Sequence, residues 1–403
     1  MSDQAVTTRC CIAGGGPAGM MTGFLLARAG VDVVVLEKYP DFFRDFRGDT
    51  IHPSTLTVMD ELGLLDEFLK LPHQKVQHLS GFIGGEEIAI ADFTHLKTKC
   101  PFIALIPQWD FLSFIGEHAK RYPGFHLMME TEAVDLITGG GRVCGVRAKN
   151  RDGALEIRGE LVIAADGRHS TLRERAGLIA DSFGAPMDVL WFRISRREGD
   201  PAQAFGRIDQ GLMIILLDRG DYWQCGYLIR KGDFENIKRR GLDAFHEDLA
   251  TVAPFLRDRT AEIKDWDAVK LLTVAVDRLR HWSKEGLLCI GDAAHAMSPI
   301  GGVGINLAIQ DAVAAANILG PEFQRGTPGI AALEAIEQRR EPPTRKTQRL
   351  QIAIQNRVID HVLGRPGRAK LPWIMRIARH FPRLTRIPAR IVGIGFLPEH
   401  VAR

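Results

Sequence analysis

The stretch RCCIAGGGPAGMMTGFLLARAGVDVVVLE at residues 9–37 decides the fold. Its two ends are apolar and rich in β-branched side chains, a composition typical of buried parallel strands. Residues 19–29 between these ends carry apolar side chains at helical spacing. The stretch therefore predicts a strand, a glycine-rich turn, a helix and a second strand, which together make a βαβ unit.

The glycine-rich turn has the spacing G-x-G-x-x-G at Gly14, Gly16 and Gly19. The first glycine permits a tight turn, the second lets backbone approach a pyrophosphate, and the third packs the helix against the strand. Pro17 and Ala18 occupy the helix start, where unpaired N–H groups and the positive end of the helix dipole favour phosphate. All five residues are therefore assigned to the binding site of a dinucleotide cofactor.

An acidic residue follows at the distance that a ribose contact requires. Glu37 ends the second strand roughly 20 residues after the glycines, where its carboxylate can accept from a ribose hydroxyl. A carboxylate there prefers a 2′-hydroxyl to a 2′-phosphate, which leaves NAD and FAD as candidate dinucleotides. Lys38, the next residue, is included among the predicted cofactor contacts.

Two later turns carry an acidic residue directly after an apolar run. ADGRHSTLR at residues 165–173 places Asp166 after LVIA, and GDAAHAMSPIGGVGINLAIQDA at residues 291–312 places Asp292 after LLCI. We expect Asp166 to fix neighbouring backbone N–H groups at the sheet edge that carries the glycine turn, ahead of a helix capped by Ser170. The Asp292 carboxylate needs partners such as ligand hydroxyls, because an isolated buried acid is strongly unfavourable.

Two segments outside the βαβ unit have helical patterns. Residues 52–71 carry a stripe of apolar side chains, and Ser54 is expected to cap this helix. Residues 334–362 are polar and helical in pattern, and we expect an interruption at Pro342 and Pro343.

The remaining pattern predicts a second sheet of a different type. Residues 134–167 alternate between apolar and polar as an antiparallel appendage, and aromatic strands between residues 181 and 267 predict an antiparallel sheet. The expected fold class is α/β, a Rossmann-type domain with a parallel sheet plus an antiparallel-sheet substrate domain and C-terminal helices. The expected boundaries are 1–75, 105–180 and 268–345 for the first domain, 76–104 and 181–267 for the second, and 346–403 for the C-terminal segment.

In motif order, residues 9–340 resemble the flavin-dependent aromatic hydroxylases typified by para-hydroxybenzoate hydroxylase, the single-component flavoprotein monooxygenases. Three motifs carry the resemblance at family-like spacing: GGGPAG, ADGRHSTLR and GDAAHAMSPIGGVGINLAIQDA. The resemblance implies FAD as cofactor, NADH or NADPH as a transient reductant and O2 as co-substrate. It implies hydride transfer to FAD, a flavin C4a-hydroperoxide, and hydroxylation of an aromatic, polyketide or quinone-like small molecule.

The resemblance also assigns roles to residues of the third motif. Asp292 matches the family aspartate that holds the ribityl chain, and Pro299 matches the proline beside the substrate. Gly302 and Gly304, with Gly301, allow backbone to run close to the flavin ring. Ile305 and Asn306 begin a helix whose N–H groups would point at the N1–C2 edge of the flavin.

Further single residues complete the predicted site. Asp166 falls in the motif that the family associates with both FAD and the nicotinamide cofactor, and Arg47 and Gln108 match residues that contact FAD, with Arg44 as a substitute for Arg47. Val134 is also assigned to the cofactor. His52 is a catalytic candidate that could face flavin or substrate, although a histidine before proline in a loop is more often structural.

The middle sheet should supply the substrate contacts. Its aromatic and sulfur-bearing candidates are Trp191, Phe192, Phe205, Met213, Trp223 and Tyr227. Side chains alternate between the two faces of a sheet, so half of these residues must point elsewhere, and the sequence does not choose which half.

Composition limits the class of protein. The 403 residues are 45% hydrophobic and 25% charged, which suits a globular protein. The sequence has one dinucleotide fingerprint, and ITGGGRVCG at residues 137–145 opens no helix, so NAD(P)H is expected to visit without its own Rossmann domain. Six cysteines without Cys-x-x-Cys spacing argue against a structural metal site or a disulfide framework and favour the cytoplasm. We expect no membrane span, secretion leader or nucleic-acid partner.

The charge is unevenly distributed. From residue 339 onward the chain has fifteen Lys and Arg residues against three acids, although the whole chain carries a net charge of only +3. Such a segment is usually a solvated helical surface, and weak contact with an acidic partner or anionic membrane is the alternative. Two alternative functions also stay open: an FAD-dependent reductase or dehydrogenase of a lipid or prenyl substrate, and a non-catalytic flavin-binding accessory protein. The sequence leaves the oligomeric state open.

Overall fold

A computed structural model of the chain describes residues 4–43, 50–201, 206–363, 367–369 and 381–402. Arg44, Arg47 and Phe205, three candidates from the sequence, lie outside the described residues. The described helices are α1 (Pro17–Arg28), α2 (Pro53–Glu61), α3 (Leu65–Phe68), α4 (Gln108–Ala119), α5 (Thr171–Arg175), α6 (Phe234–Arg240), α7 (Leu242–Val252), α8 (Gly304–Arg325), α9 (Ile330–His361) and α10 (Arg386–Gly393).

The strands of the described residues form two large sheets and two small ones. In chain order they are β1 (Gln4–Ala13), β2 (Val33–Leu36), β3 (Thr50–Ile51), β4 (Gln74–Val76), β5 (His78–Ile83), β6 (Glu86–Asp92), β7 (Ile103–Leu105), β8 (Phe125–Met128), β9 (Glu132–Gly139), β10 (Arg142–Asn150), β11 (Gly153–Ala164), β12 (Ala180–Ser182), β13 (Met187–Ser195), β14 (Gly206–Asp209), β15 (Leu212–Asp218), β16 (Tyr222–Arg230), β17 (Lys270–Leu272), β18 (Asp277–Leu279), β19 (Ser283–Lys284) and β20 (Leu287–Cys289).

The first large sheet contains the predicted βαβ unit. Its strand order is β19-β20-β11-β1-β2-β8, and β10 and β9 extend it from β11 as the expected antiparallel appendage. β1 runs parallel to both β2 and β11, with Ile12 opposite Val35 on one side and Ile163 on the other. All three side chains are fully buried, because helices and the appendage cover the sheet, as is usual for parallel strands.

The second large sheet has the order β17-β13-β16-β15-β14-β5-β6 and is mostly antiparallel. Its strand Lys270–Leu272 pairs with β13, although the sequence analysis placed the end of this unit at residue 267. The expected boundary at residue 267 is wrong because it excludes this short strand from the second sheet. The strand pairs through backbone hydrogen bonds, which the sequence pattern of KLL does not reveal. The rest of the division into domains stays a proposal.

Two local predictions about helices are wrong. Ser54 does not cap α2: His52 is the capping residue, in extended conformation, and Pro53 begins the helix because its fixed φ suits the first position. Pro342 and Pro343 do not interrupt α9, which continues through both. Arg340 before the prolines and Gln348 after them are both buried against the rest of the fold, and these contacts hold the two halves on one axis.

The C-terminal segment packs back against the second large sheet. Arg368 Nε donates to the carbonyl of Gly84 at the end of β5, and α10 packs on β6 and on the turn Phe93–His95. In the described part of the chain, Ile300–Arg325 is long and apolar enough to span a membrane, but 72% of its apolar window is buried inside the fold. It contains α8, which packs between α1 and α9 as a core helix.

A buried charge network joins the third motif to the C-terminal segment. Asp311 of α8 accepts from His295 Nε2 at 2.6 Å, from Arg340 Nε at 2.9 Å and from the Gly291 N–H at 3.1 Å. Burial alone would raise the pKa of Asp311, but the charges of His295 and Arg340 hold that pKa below its ordinary value. Arg340 also contacts Glu399 at 3.4 Å, so one guanidinium connects α8, α9 and the chain end.

We predict that Arg340→Met lowers the free energy of unfolding by about 3–5 kcal/mol, because it leaves buried carboxylates without their main counter-charge. Arg339→Met is the matched control: Arg339 also pairs with Glu399, but its side chain is 55% exposed. We expect this control to cost at most about 1 kcal/mol. Denaturant unfolding of both variants measures the difference, and equal losses would contradict the assignment of Arg340 as the central charge.

Candidate active site

The glycine turn and the Asp166 turn touch each other through backbone. Gly14 has φ +108°, and a Cβ added there would lie 2.3 Å from the carbonyl oxygen of Ala165. The Ala165 N–H donates to Ala13 O at 2.8 Å, so the carboxyl ends of β1 and β11 are locked side by side. Glycine is required at position 14 because both the positive φ and the close approach exclude a side chain.

The start of α1 leaves open space where the sequence predicts a pyrophosphate. A Cβ added at Gly16 would meet no atom within 4 Å, whereas one at Gly19 would lie 1.9 Å from the Gly14 carbonyl oxygen. Gly19 therefore packs the helix onto the turn, and Gly16 keeps a volume clear in front of the N–H groups that begin α1. These features fit the pyrophosphate of an FAD.

Glu37 lies beside the glycine turn. It is only 8% exposed, its Oε2 accepts from the Gly15 N–H at 3.1 Å, and its Oε1 accepts from the Tyr39 N–H at 3.0 Å. The carboxylate is thereby held at the carboxyl end of β2, where a ribose hydroxyl can reach it. Lys38 points outward, with its Nζ 5.2 Å from the centre of the Tyr39 ring and 3.9 Å from Glu132 Oε1.

Gln108 and Val134 lie on separate elements. Gln108 is the first residue of α4, which packs on α1, and Val134 is a half-buried residue of β9. Contact of these two residues, and of Lys38, with the cofactor stays a prediction.

Asp166 shapes its own turn. Its Oδ1 accepts from the Ser170 hydroxyl and its Oδ2 accepts from the Leu172 N–H at 3.1 Å, while Ser170 Oγ caps α5 by accepting from the Arg173 N–H at 3.0 Å. Burial raises the pKa of the Asp166 carboxyl above its ordinary value, and the hydrogen bonds from Ser170 and Leu172 oppose that rise. The carboxylate thus fixes the path of backbone between β11 and α5.

The third turn meets the other two. Gly291 has φ +59°, and a Cβ added there would lie 3.0 Å from the Cβ of Ala18 in the first turn of α1. Asp292 is part-exposed, and its Oδ2 lies 3.4 Å from Arg168 Nη2 of the second turn. The structure therefore brings all three motifs to one end of the parallel sheet, with part-exposed Asp292 of the third beside Arg168 of the second.

The flavin loop is the segment 296–304, which leads from the Asp292 turn into α8. At its end, Gly302 has φ +61°, and the Thr50 hydroxyl donates to the Gly302 carbonyl at 2.9 Å. Gly304 and Ile305 begin α8, and the first N–H groups of a helix have no acceptor within it. These N–H groups are suited to the anionic edge of a reduced flavin.

Both polar atoms of the Asn306 side chain have hydrogen-bond partners within the protein. Its Oδ1 accepts from the His52 N–H at 2.9 Å and from Thr55 Oγ1 at 2.7 Å, and its Nδ2 donates to the Thr50 carbonyl at 3.0 Å. Asn306 is therefore available to a cofactor through its backbone, and its amide instead binds α2 to α8. Thr50 and Thr55 were missed by sequence reasoning, because nothing in TIHPST indicates that these hydroxyls meet a residue some 250 positions away.

His52 does not face open space, so the expectation that it contacts flavin or substrate is wrong. The side chain is fully buried, and its Nδ1 donates to the Val392 carbonyl of α10 at 2.7 Å. Burial lowers the pKa of His52 to about 4, which keeps the ring neutral at physiological pH. The physical reason is that residues 386–393 return over this position, a contact between backbone and side chain that the sequence does not signal.

Pro299 lies where the flavin loop turns towards the second sheet. It is half-buried, and its carbonyl accepts from the Gly302 N–H at 3.0 Å. The next residue, Ile300, packs against a buried cluster that contains Val189 of β13 and Leu228 of β16, and Trp191 and Met213 pack against the same cluster. The loop therefore lies beside this face of the second sheet, which makes the face a candidate for contact with substrate.

The structure decides which aromatic residues can serve that site. Trp191 and Met213 belong to the face that meets Ile300. Phe192, Trp223 and Tyr227 lie on the opposite face, buried against α7 and its neighbours. These three are the candidates that point elsewhere, because the alternation of the strands directs them to a separate core.

A family model described as an FAD binding domain matches residues 7–350. The chain belongs to this family. It is 29% identical over 386 residues to 6-methylpretetramide 4-monooxygenase of Streptomyces rimosus, covering 95% of this chain and 92% of that protein. It is 25% identical over 309 residues to para-nitrophenol 4-monooxygenase of Pseudomonas sp. (strain WBC-3), covering 75% of each protein.

Solved structures show the same fold. OxyS anhydrotetracycline hydroxylase from Streptomyces rimosus superposes with a TM-score of 0.76 at 22% identity, covering 96% of this chain and 76% of that chain. PqsL from Pseudomonas aeruginosa also gives 0.76 at 21% identity, covering 88% of this chain and 97% of that chain. The expected fold class is confirmed. The expectation that the chain is an FAD-dependent monooxygenase, using NAD(P)H and O2, is also confirmed.

We predict that Gly16→Val and Gly14→Ala fail in different ways. The valine at position 16 enters open space, so the apoprotein keeps its Tm but loses the pyrophosphate position, and retained FAD falls to a trace. The alanine at position 14 collides with Ala165 and requires an unfavourable φ, so the Tm itself falls. Circular dichroism of the apoproteins and flavin absorbance of the purified proteins separate the two effects, and a Gly16→Val protein that stays yellow would refute the assignment.

Proposed function

We propose that this FAD-dependent monooxygenase hydroxylates a flat, neutral, multi-ring aromatic compound of the polyketide or quinone-like class. The observation that carries the proposal is the apolar sheet face opposite the flavin loop. Its residues include Val189, Trp191, Met213, Ile215 and Leu272, and Ile300 of the loop packs against the same cluster, as do Val362 and Leu363 after α9. A wide apolar wall with an indole ring suits stacking against a planar substrate.

Charged side chains of the described strands lie at the margins of this face rather than at its centre. By strand register, Arg193 lies beyond Trp191 on β13, and Lys270 of the edge strand is paired with Trp191 and exposed. Arg230 is turned to the Leu363 carbonyl, to which its Nη2 donates at 2.8 Å. Among the described strand residues, the apolar side chains thus outnumber the charged ones on this face, which favours a neutral substrate.

FAD, when bound, supplies the transfer of reducing equivalents from NAD(P)H and of one oxygen atom from O2 to the substrate. The residues of the chain position and shield that chemistry. Gly16 and the start of α1 would hold the pyrophosphate, Glu37 a ribose, and Asp292 the ribityl hydroxyls. The N–H groups that begin α8 would stabilise negative charge on the flavin ring, and the apolar sheet face excludes water from the substrate side.

The names of similar proteins support the substrate class. One relative is named as a monooxygenase of 6-methylpretetramide, and a solved structure as a hydroxylase of anhydrotetracycline. Others are named for smaller aromatic compounds, such as para-nitrophenol. The broad apolar face favours the larger class for this chain.

We predict that Trp191→Ala raises the KM for a multi-ring substrate about tenfold or more, because it removes a large apolar contact from the site. The assay is substrate-stimulated NAD(P)H oxidation over a panel of phenols, quinones and anhydrotetracycline. Phe192→Leu, on the opposite face of the same strand, is the control and should leave KM unchanged. An equal KM for both variants would exclude this face as the substrate wall.

The same reaction under 18O2 tests the chemistry itself. One labelled oxygen atom in the product is expected for hydroxylation. A reduced or dehydrogenated product without label would instead establish the alternative, a reductase or dehydrogenase acting on a lipid or prenyl compound. Absence of substrate-stimulated NAD(P)H oxidation across the panel would favour a flavin-binding protein without turnover.

We also propose a cytoplasmic protein that touches anionic membrane weakly through its C-terminal segment. Six free thiols support the first part. For the second, Phe381, Leu384, Ile387 and Leu397 are 47–60% exposed, and Arg383, Arg386 and Arg390 lie among them. Apolar side chains interspersed with arginine are suited to the interface of an acidic bilayer.

We predict that the protein cosediments with phosphatidylglycerol vesicles more than with phosphatidylcholine vesicles, and that salt weakens the binding. Ile387→Glu should reduce it several-fold, by placing an acid among these side chains. Ile179→Glu is the matched control, because Ile179 is equally exposed at 60% outside this segment. Equal effects of the two substitutions would contradict a membrane contact by the C-terminal segment.

A further inference from the structure

One face of α9 carries a row of buried amide and hydroxyl side chains. The row consists of Thr344, Gln348, Gln351 and Gln355, each at most 3% exposed. The spacing of four, three and four residues places them on one side of the helix. Burial of three glutamines is unfavourable unless their amides are hydrogen-bonded, so the partners of these amides indicate what the row does.

Gln351 binds the flavin loop on both sides of Pro299. Its Nε2 donates to the Ser298 carbonyl and to the Ile300 carbonyl, each at 2.8 Å. Two carbonyl acceptors identify the nitrogen end of this amide, because the oxygen end has no hydrogen to donate. The Oε1 atom is buried and has no hydrogen-bond partner among the residues that the structure describes.

Gln348 secures the start of the same loop. Its Nε2 donates to the Ala296 carbonyl at 3.0 Å and to the Asp277 carbonyl at 2.7 Å, and its Oε1 accepts from Arg278 Nη1 at 2.7 Å. Gln355 differs from both. Within the described ranges its Oε1 lacks a partner, and no hydrogen bond joins its amide to the loop.

These bonds fix the direction in which the loop presents its N–H groups. In a trans peptide, the carbonyl of one residue and the N–H of the next point in opposite directions. The Ile300 carbonyl points at α9, so the Gly301 N–H points away from α9. The Gly302 carbonyl points at Thr50, so the Val303 N–H points away from β3. Gly301 and Gly302, with φ +80° and +61°, make this path of the backbone accessible.

We propose that Gln351 is a positioning residue that holds the Pro299 segment against the flavin and so determines how much of the reducing power reaches the substrate. The proposal rests on the proposed monooxygenase function. A loop that is free to move admits water and shifts Ile300 relative to the apolar sheet face, and the reducing equivalents of NAD(P)H are then lost in the reduction of O2 to H2O2. Gln351 makes no contact with the reacting atoms and acts through the loop.

Two substitutions and one control test the proposal. Gln351→Met keeps the volume of the side chain and removes both donated hydrogen bonds. Gln351→Glu can donate one hydrogen bond when protonated, but its ionised form places a charge against two carbonyl oxygens. Gln355→Met is the matched control, from the same helix face at similar burial.

For Gln351→Met we expect the apoprotein to bind FAD about tenfold more weakly by flavin fluorescence titration, because two buried carbonyls lose their donor. Product formed per NAD(P)H oxidised should fall at least twofold, with a matching rise in H2O2. The control Gln355→Met should match the unsubstituted protein in both measurements. Similar behaviour of Gln351→Met and the unsubstituted protein would overturn the proposal, and so would equal losses in the two methionine variants.

For Gln351→Glu we expect a flavin absorbance spectrum and an FAD affinity that change with pH between about 5 and 8, because a buried carboxyl beside carbonyl oxygens ionises above its ordinary pKa. Affinity should recover towards low pH, where the protonated acid donates again. A role in packing alone would give no such recovery, and a pH-independent spectrum would overturn the proposal even if Gln351→Met failed to fold. The titrations use FAD without substrate, so they remain decisive if the proposed hydroxylation fails.

Discussion

The site depends on one close approach of backbone, between Gly14 at the end of β1 and Ala165 at the end of β11. A side chain at position 14 would collide with the Ala165 carbonyl, and glycine there lets the two backbones meet. The two strands, distant in sequence, therefore end at the same level of the sheet. The N-terminus of α1 and the Asp166 turn then face a common space. The third turn reaches that space by packing Gly291 on Ala18, and the three motifs become parts of one cofactor site.

The flavin loop is hydrogen-bonded to the rest of the protein at its start, its middle and its end. Asp277 and Gln348 secure its start, Gln351 its middle, and Thr50 with Asn306 its end. A loop tied in this way presents donors in a fixed orientation, which is what electrostatic stabilisation of a developing charge requires. The buried network around Asp311 extends this support to α9 and to the chain end, so the C-terminal segment contributes to the stability of the site although it lies outside the dinucleotide motif.

The sequence was sufficient to predict a local structure where the residues that cause it lie within one short stretch of the chain. Gly14, Gly16 and Gly19 are readable because a tight turn, an open approach and a helix contact each exclude a side chain locally. Ser170 as a cap was also readable, since its acceptor and donor lie three residues apart. Ser54 was misread because Pro53 starts the helix one residue earlier, and β17 was missed because three residues carry too little pattern to identify an edge strand.

The sequence by itself therefore determined the fold class, the dinucleotide turn and the three motifs that meet there, since each depends on residues adjacent in the chain. Only the tertiary structure decided that Trp191 lies on the sheet face against which Ile300 packs, while Phe192 lies in a separate core, and that the His52 ring is bonded to the Val392 carbonyl. It also decided that the Asn306 amide binds α2 rather than a ligand. These outcomes depend on contacts between segments that are hundreds of residues apart in the chain. Such contacts determine which side chains are buried and which groups form hydrogen bonds.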